Sequence, residues 1–145
     1  MANTIPFSFR GALFSGDHNF SNGGDAYRMS LYVTDPYTEN STIYTNTGEV
    51  LTTGGTGYSP FDLVNQTVTA TTNVAAVDWT TDPSWASATF TASFAAIYKY
   101  DAVTAANQLL VVMLDFGGAK TATNGTFTVA FPAVNTAADA IISMS

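Results

Sequence analysis

Residues 88–131 read ATFTASFAAIYKYDAVTAANQLLVVMLDFGGAKTATNGTFTVAF, and the fold class follows from how this stretch alternates. In residues 88–100, Phe90, Ala92, Phe94, Ala96, Tyr98 and Tyr100 fall on one side, while Thr89, Thr91, Ser93 and Lys99 fall on the other. That period of two is the mark of a half-buried strand. Residues 109–116 behave differently. Leu110, Val112, Leu114 and Phe116 share one face and Leu109, Val111 and Met113 the other, so both faces need cover, as in a central strand. Gly117, Gly118, Asn124 and Gly125 then read as turn residues, and residues 126–131 alternate again through Phe127, Val129 and Phe131. Three strands joined by two hairpins are predicted.

Working outward, residues 27–34 predict another strand, with Tyr27, Met29, Leu31 and Val33 inward and Arg28, Ser30 and Tyr32 outward. Asp35 and Pro36 end it, because proline donates nothing to a ladder. Residues 37–57 are a long, glycine-containing excursion with Tyr44 and Val50 as anchors, and such excursions are candidate contact surfaces. Residues 61–70 and 73–79 return to strand through Leu63, Val68, Val74 and Val77, and Ile141, Ile142 and Met144 predict a last edge strand in the alanine-rich tail 133–145. Residues 5–14 hold Ile5, Phe7, Phe9, Leu13 and Phe14. Their periodicity does not choose between strand, short helix and arm. About eight short strands with glycine-rich loops predict an all-β domain, a β-sandwich or jelly-roll-like barrel. Residues 1–25 are expected as an N-terminal arm and loop that either stands apart or belongs to the fold, and 26–145 as the single β-sandwich domain.

At 145 residues, one domain buries roughly 68 to 70% of the surface its unfolded chain exposes. There are no cysteines, which removes disulfides, thiolate metal sites and a cysteine nucleophile. Twenty-three threonines and only 10% charged residues favour pleated surfaces over helical ones. The net charge of −7 repels a phosphate backbone, so nucleic acid is not an expected partner. No run approaches the roughly 20 apolar residues of a membrane span, and no secretion signal is read at the start. The chain is expected to be made in the cytoplasm. The four Asn-x-Ser/Thr sequons at Asn19, Asn40, Asn65 and Asn124 are then read as products of composition.

The candidate chemistry is thin. Asp17, Asn19 and Ser21 space their oxygens like a calcium loop with Asp25 behind, but Asn22 and Arg28 stand where that loop needs glycine and glutamate. His18, the single histidine, lacks the companions of a metal triad and is read as a solvated loop residue. Asp78, Asp82, Asp101 and Asp115 lie at predicted strand ends, where aspartate is a turn former before it is a catalytic pair. Trp79, Trp85, Tyr98 and Tyr100 are read first as core and second as an aromatic sugar-binding face. No catalytic residue, metal ligand or cofactor site is predicted.

Four segments carry a resemblance: YRMSLYVTD at 27–35, TGEVLTTGGTGY at 47–58, WASATFTASFAAIYKYD at 85–101 and LLVVMLDFGGAKTATNGTFTVAFP at 109–132. Together they resemble small virion structural proteins of tailed bacteriophages, most often of the head decoration or cement type. The resemblance implies a non-enzymatic protein on the capsid surface, without a cofactor, partnered by the major capsid protein and by itself as a homotrimer. The alternative is a tail- or fibre-associated module that binds host glycans. Ile5, Phe7, Phe9, Tyr44 and Val50 are the expected partner-binding residues.

Overall fold

A computed structural model describes residues 3–70, 73–132 and 140–144. In chain order they form helix α1 (Phe7–Ser15), then strands β1 (Tyr27–Tyr32), β2 (Phe61–Leu63), β3 (Gln66–Ala70), β4 (Ala75–Trp79), β5 (Ser84–Lys99), β6 (Leu110–Thr128) and β7 (Ile142–Met144). Two short 3-10 turns, Val50–Thr53 and Ala105–Asn107, complete the elements. The strands make two antiparallel sheets, ordered β2-β1-β5-β6 and β3-β4-β7. The fold is all-β and sandwich-like, as expected, and not a closed barrel. The tail strand pairs with β4, while residues 133–139 of the alanine-rich tail lie outside the described residues.

The decisive stretch makes two long strands rather than three. Gly117 and Gly118 do not reverse the chain; they sit inside β6 at φ +69° and +133°. Between the pairs Ala92–Lys120 and Phe94–Asp115, β6 spends five residue steps against two on β5. This is an extended bulge, built at positive φ where glycine carries the least strain. Opposite it the alternation of β5 changes phase. Ala88, Phe90 and Ala92 join Ala95 and Ile97 in the main core, whereas Phe94, Ala96 and Tyr98 turn to a second apolar cluster on the other side. The single inner face predicted for residues 88–100 is thus divided between two cores.

The main core holds Phe9, Phe20, Tyr27, Met29, Leu31, Trp79, Trp85, Phe90, Ile97 and Val111 among others. The second holds Tyr32, Tyr37, Ala96, Tyr98, Leu110 and Met113, with Tyr44, Phe94 and Tyr100 packed against it. Both faces of the larger sheet are therefore covered. For that reason Ser30 and Tyr32, expected to face outward, are fully buried. Strand β6, predicted to be central, lies at the sheet edge. Its first half is nevertheless sheltered, because Thr4 exchanges two backbone hydrogen bonds of 2.9 Å with Met113, and Leu110 N–H donates to Thr42 O at 3.0 Å.

Residues 5–14 resolve as a helix folded onto the chain's own sheets. Phe9 points into the main core, with Ile5 and Leu13 packed against it. Gly16, in the left-handed region at φ +78°, ends the helix and donates its N–H to the last-turn carbonyls.

Candidate functional site

The excursion after β1 is held by one carboxylate. Where β2 stops at Met29, the remaining edge of β1 is covered by the excursion: Val33 N–H donates to Gly48 O at 2.9 Å, and Tyr32 bridges Glu49. Glu49 is completely buried. Its Oε2 accepts from the Tyr44 hydroxyl and its Oε1 from the Tyr58 hydroxyl, both at 2.6 Å. Tyr58 Oη in turn accepts from Leu31 N–H at 2.9 Å, filling the place of a missing strand partner. Beside this lie Tyr32 and Tyr37, their hydroxyls 2.7 Å apart and both within reach of Thr45 O, and Tyr98, which accepts from Ser30 Oγ at 3.4 Å. Burial raises the pKa of these phenols, to about 12 at Tyr37 and Tyr98 and further at Tyr32, Tyr44 and Tyr58. The cluster is a closed polar core that fastens the excursion, and Glu49 is its centre.

The structure places the five expected partner-binding residues mostly within the fold. Phe9 and Val50 are in the main core, and Ile5 is partly buried against it. Tyr44 stacks on Tyr98 with ring centroids 4.3 Å apart and bonds Glu49. Only Phe7 is substantially exposed, at 52%. Of the four aromatics read first as core, Trp79, Trp85 and Tyr98 are core residues, and Tyr100 lies beneath the Arg28 guanidinium, 3.5 Å from its ring centroid.

The acidic loop is organised by an internal cation. Lys99 Nζ donates to Asp17 O at 2.7 Å and sits 3.0 Å from Asp25 Oδ2. Asp25 Oδ2 also accepts from Asn19 N–H, and Asn19 Oδ1 from Ser21 N–H, closing the turn. The ammonium is thus held by two residues of the loop, the Asp17 carbonyl and the Asp25 carboxylate. His18 is not a solvated loop residue. Its ring stacks among Phe9, Phe20 and Tyr27, and burial, reinforced by Lys99, lowers its pKa to about 4.

No protein-family model, curated protein or solved structure matches this chain.

The four aspartates are mostly engaged in turn geometry. Asp101 Oδ1 accepts from Val103 and Thr104 N–H while Oδ2 accepts from Asn107 Nδ2, and Asp115 Oδ1 accepts from Gly117 N–H. Asp82 Oδ1 accepts from Phe131 N–H. Asp78 is buried within β4, and burial, then nearby Asp82, raises its pKa. A depression of about 550 Å3 lies between α1, the loop after it and the smaller sheet, lined by Phe9, Leu13, His18, Val68, Ile142 and Met144 among others.

Surface chemistry singles out α1. Phe7 and Phe14, seven residues apart, share one side of the helix, and Phe14 is 95% exposed. Phe9 and Leu13 occupy the inward side. Sequence reasoning put Phe7 and Phe14 in one apolar cluster but missed their shared stripe, because the segment had not been assigned as helix.

Proposed function

We propose that this chain is a non-enzymatic structural protein of a tailed-bacteriophage virion, a capsid decoration or cement protein. In this reading it binds the major capsid protein lattice as a homotrimer and stiffens the head. The observation that carries the proposal beyond the sequence resemblance is the double-faced helix α1. A helix that is apolar on one side packs onto its own domain, but α1 is apolar on two sides and its own domain covers only one. The outer stripe of Phe7 and Phe14 is the contact offered to the shell. Burying two such rings contributes on the order of 1.5 to 3 kcal/mol each before ordering costs, enough to matter for a contact repeated over a lattice. The segments that carry the resemblance make β1, β5, β6 and the Glu49 cover, which supports a role for them as scaffold.

The test compares binding to undecorated heads with melting temperature. The double variant Phe7→Ser, Phe14→Ser is expected to melt like the parent and to lose head occupancy. Saturation of the heads by this variant would refute the contact. Imaging of particles that finds the protein in a few copies at the tail would refute the placement on the head.

A further inference from the structure

We propose that His18 is an acid-operated latch: its protonation releases the C-terminal half of α1 and the following loop through Asp25 from the sheets, which stay folded. The inference does not rest on the virion reading. The latch is built from rings. His18 lies 5.0 Å from the Phe9 centroid, 5.6 Å from Phe20 and 6.1 Å from Tyr27, nearly parallel to the last two. Its Nδ1 faces the Tyr27 hydroxyl at 3.4 Å, and its Nε2 is buried with no hydrogen-bond partner among the described residues. A neutral imidazole accepts this environment at the cost of one unpaired nitrogen. An imidazolium has two N–H donors and a charge to satisfy, and the site supplies one hydroxyl.

The surrounding charges do not rescue it. The charged groups that act on the ring are Asp17, Asp25 and Lys99. Asp25 is already paired with the Lys99 ammonium, which is the nearby cation and opposes a second positive charge. Helix α1 brings Phe9 and Leu13 to this region, β1 brings Tyr27, and β3, β4 and β7 bring Val68, Ala75, Val77, Ile142 and Met144. None of these side chains carries a charge at neutral pH. With a folded value of about 4 against 6.5 when free, the open form binds the proton more tightly. Closure is therefore complete above pH 6.5 and weakens as pH falls toward 4.

The segment that opens is anchored differently from the part that stays. Thr4 remains paired with Met113, and Ser8 Oγ with Ser41 O. The loop closes on itself through Gly16 N–H to Leu13 O, Asp17 N–H to Ala12 O and Asp25 N–H to Asn19 O, and its polar ties to the sheets come from two side chains, Lys99 on Asp17 O and Asp25 and Gln66 on Ser21 O and Asp25 O.

The experiment is hydrogen exchange on the full chain between pH 7.5 and 4.5, read as protection factors so that intrinsic chemistry is divided out. Amides 16, 17 and 25 are expected to lose protection roughly tenfold per pH unit between about pH 6 and 4.5, while those of β5 and β6 hold. His18→Phe, which preserves the stacking without the titration, is expected to stay protected. Protection that is flat in the parent, or that falls equally in His18→Phe, overturns the latch; the second result assigns the opening to the Asp25–Lys99 pair, which Asp25→Asn would open already at neutral pH. If His18→Phe fails to fold, the imidazole of the parent is titrated by NMR. A midpoint at the ordinary 6.5 in the closed protein overturns the proposal.

Discussion

At the scale of the residue, Glu49 sets the tightest polar arrangement described above: both of its carboxyl oxygens are met by phenols at 2.6 Å. Removing this acceptor leaves two phenol donors without a partner inside the fold. Glu49→Leu is expected to cost about 3 to 5 kcal/mol in urea unfolding, and Glu49→Gln distinctly less because an amide oxygen still accepts one bond. Equal losses in the two variants would show that packing, not the acceptor, is what Glu49 supplies. Backbone shape sets a second residue-scale expectation. Gly117 at φ +69° is in the left-handed region, whereas Gly118 at φ +133° lies beyond it, and neither has a neighbour within 4 Å of an added Cβ. Gly117→Ala should cost about 1 kcal/mol and Gly118→Ala about 2 to 3, from strain alone. A reversed order in thermal melts would contradict the bulge.

Among the elements, α1 and β6 separate what sequence conveys from what it does not. The alternation of Phe127 with its neighbours and the apolar run 109–116 were legible, since each strand's pattern is local. The bulge was not, because Gly117 and Gly118 serve a hairpin turn and a bulge equally well, and only the partner strand decides. Likewise Glu49 lies in a polar, glycine-flanked stretch whose burial depends on Tyr44 and Tyr58 closing over it. Helix α1 was ambiguous because its two apolar sides blur any single period. The element does rest on the core: Phe9→Ala is expected to destabilise the protein by about 3 to 5 kcal/mol, and truncation through Phe9 should give aggregated protein rather than a folded domain lacking an arm. A truncated protein with the parent's melting temperature would restore the arm.

For the molecule as a whole, the buried phenols set an alkaline limit. Raised pKa values at Tyr27, Tyr32, Tyr37, Tyr44, Tyr58 and Tyr98 mean that the folded state holds protons the unfolded chain releases above pH 10. Stability is therefore full below pH 10 and declines as pH rises from there toward 12 and beyond. Phenolate absorbance should rise in one cooperative step that coincides with loss of circular dichroism; a graded rise in a still folded protein would count against the buried cluster. The architecture has one more consequence, and it concerns time rather than energy. Strand β1 pairs on one side with β2 and on the other with β5, and Ser30 reaches its partner Tyr98 68 residues later. At synthesis rates of roughly 5 to 20 residues per second, Met29 and Leu31 leave the ribosome on the order of 3 to 14 seconds before that partner exists. The helix that ends in a stripe of phenylalanines emerges earlier still. A protein arranged this way waits unfinished while it is being made, with its first strand and helix in the company of whatever else in the cell binds apolar chain.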